Sequence, residues 1–327
     1  NIGMGCFSSI LSEQSETMNS QNTQTDNLTE FRYIDGRRFH NVETATYPLP
    51  NDNDELDRLH LQHFLLRYIW QCNFSAPINH ILSNPDTKIL DVGCGAGSWS
   101  FDMATTYPLV EVVGIDISTL QPTQIKPKNF KFVKANVFDG LPFENNTFDF
   151  VFQRYMFTGC PTEKWPYLIN ELVRVLKPGG FLELFEPSKL FDLGPSTQRF
   201  HDAEVEIFKQ HGLDDDIYEH LEDHVQNQGQ LENIKKEVKP CHYGIKSNNT
   251  KLSEVAISNF VTAYASFKPA LLKQMKISSE EFDELAKTSE KELFEYGTYN
   301  YLARIYANKV INNNSEIKVN LVPNENI

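Results

Sequence analysis

Hydrophobic and polar positions switch repeatedly between a period of two and a period near 3.6 along this chain, and their order predicts an open α/β sheet. Short runs rich in β-branched and aromatic residues read as buried parallel strands: Lys88–Val92, Val110–Asp116, Phe130–Asn136, Phe148–Phe152 and Phe181–Glu186. A helical stretch from about Glu163 to Leu176 precedes the fifth of these. It runs into Lys177-Pro178-Gly179-Gly180, a proline-glycine stop signal. Strands alternating with helices imply a right-handed, doubly wound sheet.

The flanks extend this core. Tyr47-Pro48-Leu49-Pro50-Asn51-Asp52 is a stiff extended entry, with Asp52 or Asp54 placed to cap a helix whose apolar stripe runs through Leu56, Leu59, His60, His63, Phe64, Arg67 and Tyr68. After the fifth strand, Phe200–His211 and Asp214–Gln226 read as helices and Leu231–Val238 as a sixth strand. Ser253–Met275 and Ser279–Tyr296 follow as amphipathic helices, the second opened by a capping signal at Ser278. Tyr299–Ala307 alternates and is aromatic-rich, which predicts a last strand, antiparallel, at the sheet edge. The expected organisation is a leader over 1–30, one domain over 31–309 and a tail over 310–327, leader and tail being disordered. Within the domain, a cap spans 31–75, a core about 86–187 and a helical elaboration 188–297. The fold class expected is α/β: a mostly parallel, seven-stranded Rossmann-like sheet with an antiparallel last strand and extra helices.

Composition narrows the function. The net charge is −14, from 44 acidic against 30 basic residues, and such a field repels phosphate backbones, so no nucleic-acid partner is expected. Five cysteines lie far apart with no C-x-x-C pair, which argues for a reducing compartment and against a structural metal site. His60 and His63 are one helical turn apart, but no carboxylate or third histidine is near them in sequence, so no metal is assigned. No apolar run reaches the length of a bilayer span, and no signal peptide opens the chain. The cytoplasm is the expected location, with the nucleus as the alternative. Met4-Gly5-Cys6-Phe7-Ser8-Ser9 fits an N-myristoylation pattern with Cys6 placed for a second acyl chain, which would anchor the protein to a membrane if Met4 is the native start.

The chemistry concentrates where the first strand ends. Asp91-Val92-Gly93-Cys94-Gly95-Ala96-Gly97 places glycines at alternate positions of a strand-to-helix turn, where φ > 0 and close backbone approach to a ligand are needed. The spacing is not G-x-G-x-x-G, because position 98 is Ser98 and position 100 is Ser100, so a dinucleotide is disfavoured. The D-x-G-x-G-x-G spacing resembles the cofactor loop of class I S-adenosylmethionine (SAM) methyltransferases. That resemblance implies SAM as cofactor and a class I methyltransferase sheet. It puts Asp91, Gly93, Cys94, Gly95 and Gly97 at the cofactor loop, with Asp116 and Ile117 at the ribose. Asn136 and Val137 fall at the adenine, and Gln153 at the end of the fourth strand.

Three further stretches, Phe31–His40, Tyr47–Asp52 and Asp57–His63, together with Gly114–Ser118, Gln121-Pro122 and Arg304–Ala307, resemble the LaeA-like fungal methyltransferases over about residues 31–309. The resemblance implies a fungal enzyme of a family tied to regulation of secondary metabolism. It leaves the methyl acceptor open. Gly140-Leu141-Pro142-Phe143 departs toward small-molecule and quinone methyltransferases. Methyl transfer is an in-line displacement that needs chiefly alignment and exclusion of water, so catalytic residues leave little trace in a sequence. Arg154 and Tyr155 are candidates to orient an oxygen acceptor, and His40 or His201 to act as base. The motif expected of an enzyme methylating bases or glutamine is missing after the fourth strand. A small-molecule acceptor is favoured, with a protein acceptor or a non-catalytic SAM-binding scaffold as the other readings.

Overall fold

A computed structural model describes residues 31–34, 37–40, 49–120 and 126–311. The Gly5/Cys6 motif, the rest of the leader and the tail beyond residue 311 lie outside the described residues.

A hairpin of β1 (Phe31–Ile34) and β2 (Arg37–His40), absent from the sequence reading, precedes the domain. It is tied down by Arg37, whose guanidinium pairs with Asp52, and by the backbone N–H of Asn51, which donates to the Arg38 carbonyl at 2.7 Å. Helix α1 (Asn53–Trp70) is capped by Asp52, whose side chain accepts from the Glu55 N–H at 3.1 Å. Its burial corrects the expected stripe. Phe64 and Tyr68 are exposed, while Glu55, Arg58, Gln62, His63, Leu65, Leu66 and Trp70 turn inward. The inward polar residues are satisfied in pairs, since Arg58 donates to both carboxylate oxygens of Glu55, at 2.8 and 2.6 Å.

The central sheet is seven-stranded, in the order β5 (Phe130–Lys134), β4 (Glu111–Asp116), β3 (Lys88–Val92), β6 (Phe148–Arg154), β7 (Leu176–Phe191), β9 (Tyr299–Lys309), β8 (Leu231–His242). Strands β3, β4, β5, β6 and β7 run parallel. Helices α2 (Ser98–Thr106) and α3 (Trp165–Val175) make crossovers between them. The stop signal at Lys177–Gly180 ends α3 as expected, but the chain enters β7 at once rather than looping. Gly180 allows this, because a Cβ there would sit 2.8 Å from the Asp149 carbonyl oxygen.

Strand β9 (Tyr299–Lys309) is antiparallel, as expected, but it is not the edge. It lies between β7 and β8 (Leu231–His242). Burial gives the reason. β9 is buried over most of its length, whereas β8 carries exposed Glu232, Lys235 and Glu237, charges that suit a terminal strand and discourage further pairing.

Side chains leave the two faces of the sheet into separate cores. On one face Phe150, Phe152 and Phe185 pack with Trp70 and Trp99, the Trp99 and Phe152 rings stacking at 4.1 Å. On the other, Leu90, Val92, Val151, Leu182 and Leu184 meet α3 and α5 (Ile217–Asn227). A third core joins α4 (Pro195–Gln210), α6 (Thr250–Met275) and α7 (Ser279–Glu295) around Phe200, Phe208, Phe267, Leu271 and Phe282. The α7 cap is the reciprocal Ser278/Glu281 box that its sequence predicts.

Candidate active site

The carboxyl ends of β3, β4, β6 and β7 open into a cavity of about 290 Å³ whose roof is α1, α4 and α6. This is the switch point of the sheet, where β3 pairs with β4 on one side and β6 on the other. Gly93, Gly95 and Gly97 adopt φ of 70°, 52° and 76°, a left-handed region that side chains resist. The Gly93 and Cys94 N–H groups donate to the Ile115 carbonyl at 2.9 and 3.1 Å, stitching the loop to β4. A Cβ on Gly93 would stand 3.3 Å from the Met156 sulfur, and one on Gly95 would stand 3.5 Å from Leu59, so the loop is bare where it meets the cavity.

Asp116 ends β4 at the cavity wall. Its carboxylate accepts from the Gly95 N–H at 2.9 Å and the Ser118 N–H at 2.8 Å. Desolvation raises its pKa, opposed by the backbone N–H groups of Ser118, Gly95 and Ile117. Asn136 begins the one-turn helix Val137–Asp139, accepting the Phe138 N–H at 3.0 Å, and both Asn136 and Val137 line the cavity.

Beneath the loop is a buried polar layer. Asp91 accepts from Ser100 Oγ at 2.6 Å, and burial pushes its pKa up to about 6, while Ser100 and the Arg154 charge oppose the shift. Arg154 donates to His63 Nδ1 at 3.3 Å, and His63 Nε2 meets Asp102 at 3.1 Å, which fixes the neutral histidine with its proton on Nε2. Burial lowers the pKa of both His63 and Arg154. His60 bonds Ser98 Oγ at 2.8 Å, so the two histidines of α1 serve separate partners.

Residues 89–180 match the family model described as a methyltransferase domain. Over those residues the chain carries a methyltransferase domain. Three curated relatives extend the similarity. "Methyltransferase pytC" of Aspergillus terreus is 35% identical over 174 residues, covering 52% of this chain and 51% of that protein. "Secondary metabolism regulator laeA" of Coprinopsis cinerea is 32% identical over 154 residues, covering 46% and 38%. "N-methyltransferase tcpN" of Claviceps purpurea is 29% identical over 265 residues, covering 76% and 92%. The chain spans about half the length of pytC and less of laeA.

The site residues expected from sequence divide in two. Gly93, Cys94, Gly95, Asp116, Ile117, Asn136 and Val137 line the cavity, as do Arg154, Tyr155 and His201. Asp91, Gly97 and Gln153 lie behind it. The Gln153 amide donates to Glu186 at 2.6 Å, and the side chain is fully buried. His40 ends β2, and its side chain lies outside the described residues. The arrangement fits S-adenosylmethionine: a side-chain-free glycine cradle, a carboxylate facing the cavity for ribose hydroxyls, and an asparagine with an apolar neighbour for a purine. Sequence reasoning missed the roof, where Asn51, Arg58 and Gln62 from below α1 and along it, Glu204 from α4, and Asn259 and Tyr264 from α6 reach the cavity. The signal available was the inward polar spacing of Glu55, Arg58 and Gln62 on a helix that otherwise reads as amphipathic.

Tyr155 turns the chain at φ 54° just after β6, an unusual conformation for an aromatic residue. Glu186 holds that turn. It accepts from the Met156 N–H at 2.7 Å and the Phe157 N–H at 3.3 Å besides Gln153. Burial still dominates and pushes its pKa up to about 8. A raised carboxyl pKa means the folded protein binds the proton more tightly than the unfolded chain, so this group makes stability fall as pH rises from its ordinary value, 4.5, to about 8. Glu186→Gln is therefore expected to be nearly neutral at pH 4 and to gain on wild type as pH rises, being clearly more stable at pH 9, as read by urea unfolding at both pH values. Equal destabilisation at both would contradict the assignment.

Proposed function

We propose that this protein is a SAM-dependent methyltransferase acting on a small-molecule acceptor. One observation carries the reading: a single cavity joins the glycine cradle and Asp116 to an aromatic chamber beneath α4 and α6. SAM supplies an electrophilic methyl group on a sulfonium. The chain's own residues bind and align. Gly93, Cys94 and Gly95 form the cradle, with Gly97 behind them turning the chain into α2, Asp116 and Ile117 take the ribose, and Asn136 and Val137 border the adenine. Asp91 and Gln153 support the floor from behind. Arg154 and Tyr155 orient the acceptor from the end of β6, and His201 is the candidate base. The roof excludes water from the reacting groups.

The similarity to laeA supports a second reading, a protein acceptor and a regulatory role. The roofed chamber favours the small molecule, because a protein side chain would have to pass between α1, α4 and α6. The location proposed is the cytoplasm, with the nucleus as the alternative. No described helix is long and apolar enough to cross a membrane. The proposal is tested by calorimetric titration with SAM and with its demethylated product, S-adenosylhomocysteine (SAH), followed by transfer of labelled methyl groups to acceptor pools. Binding of both is expected, with label passing to low-mass compounds. Binding without transfer to any pool would favour a scaffold.

A further inference from the structure

The far end of the cavity is rich in hydrogen-bond acceptors and poor in uncommitted positive charge. Asn259 Oδ1 of α6 and His201 Nδ1 of α4 are buried without a hydrogen-bond partner among the described residues, and both residues line the cavity. Glu204 stands beside them, its Oε2 3.8 Å from His201 Nδ1 and accepting from the Tyr264 hydroxyl at 2.9 Å. A buried acceptor left unpaired is costly, so a chamber that keeps the Asn259 oxygen unpaired on the wall it shares with the Glu204 carboxylate suits a ligand that donates. Two of the cations on the cavity wall are matched to acids. Arg58 pairs with Glu55 and Lys189 with Asp216 at 3.0 Å, while Arg154 sits at the end of β6 and is directed at His63, 3.3 Å away. An anionic group in the chamber would meet the Glu204 carboxylate.

The walls add shape. Phe260 and Tyr264 lie 4.5 Å apart, Phe157 meets Phe208 edge-on at 5.9 Å, and Phe267 closes the same surface. Aromatic faces with one carboxylate form a site that attracts flat rings and ammonium groups together. Building on the methyltransferase reading, we infer that the acceptor is a flat, largely apolar amine, held through its N–H donors by Glu204 and Asn259, and that carboxylate- or phosphate-bearing acceptors are rejected.

The test compares tryptamine with indole-3-acetate, which share a ring and differ in charge, by calorimetry on the full chain with and without saturating SAH. Tryptamine is expected to bind at least tenfold more tightly. Glu204→Gln keeps an acceptor for Tyr264, so the wall should survive. It is expected to weaken tryptamine about tenfold and leave SAH affinity unchanged. Asn259→Ala should also weaken tryptamine alone. The inference is wrong if the acid binds as tightly as the amine, if neither binds, or if Glu204→Gln leaves the preference intact. Amine binding without SAH binding would uphold the chamber and overturn the methyltransferase reading alone.

Discussion

Asp116→Ala is expected to weaken SAM and SAH binding at least a hundredfold, about 2.7 kcal/mol at room temperature. Hydrogen bonds to a charged acceptor are worth roughly 1.5–3 kcal/mol each, and a ribose offers this carboxylate two hydroxyl donors. The substitution has a second consequence. The Gly95 and Ser118 N–H groups lose their shared acceptor, at 2.9 and 2.8 Å, and with it the link between the glycine loop and the end of β4. Calorimetry reads the affinity, and a thermal melt within a few degrees of wild type would show that the fold persists. Asp116→Asn keeps one acceptor oxygen and should fall between the two. Wild-type affinity in the alanine variant would remove the ribose from Asp116 and with it the proposed cofactor site.

Arg304→Ala should be the most damaging single change to stability, with a loss of about 3–5 kcal/mol, the range for stripping one partner from a buried ion pair. Arg304 on β9 and Glu183 on β7 are both buried, with the Arg304 Nε 3.5 Å from Glu183 Oε1. The guanidinium lies between the Trp70 ring, 4.3 Å from its centroid, and the Phe185 ring, at 5.1 Å. Glu183 in turn accepts the Ser75 and Ala76 N–H groups at 2.7 and 2.8 Å, fixing the chain after α1 to the sheet. Burial raises the Glu183 pKa, and Arg304 is the largest influence opposing that shift. Without the cation the pKa rises further, so the folded variant holds a proton that the unfolded chain releases. The stability gap to wild type should therefore widen as pH rises from the carboxylate range toward neutrality and above. Urea unfolding at pH 5.5 and pH 8 reads this. A gap that is constant with pH would mean that lost packing on Trp70, not the charge, sets the cost.

How much was legible depends on the range of the interaction. The β3 run ending at Asp91, the alternating glycines and the acid ending β4 are local patterns, and the sheet follows them closely. The outward turn of Phe64 and Tyr68 on α1 was not legible, since a helix stripe records only which residues are apolar. The roof over the site required inward polar residues instead, and their partners lie far along the chain: Glu55 bonds Ser266 at 2.9 Å, and Asn51 approaches Ser118 at 3.4 Å.

The sequence by itself determined the parallel α/β core, the glycine loop, Asp116 at its strand end, the helical caps and an antiparallel last strand, because each rests on the residue period or on backbone conformations that only certain side chains permit. Tertiary structure alone decided that β9 enters between β7 and β8, that α1 turns polar side chains inward, and that Glu204, His201 and Asn259 meet in one chamber. Those outcomes follow from burying long-range surfaces against one another, and no local period encodes which distant partner will satisfy a buried charge.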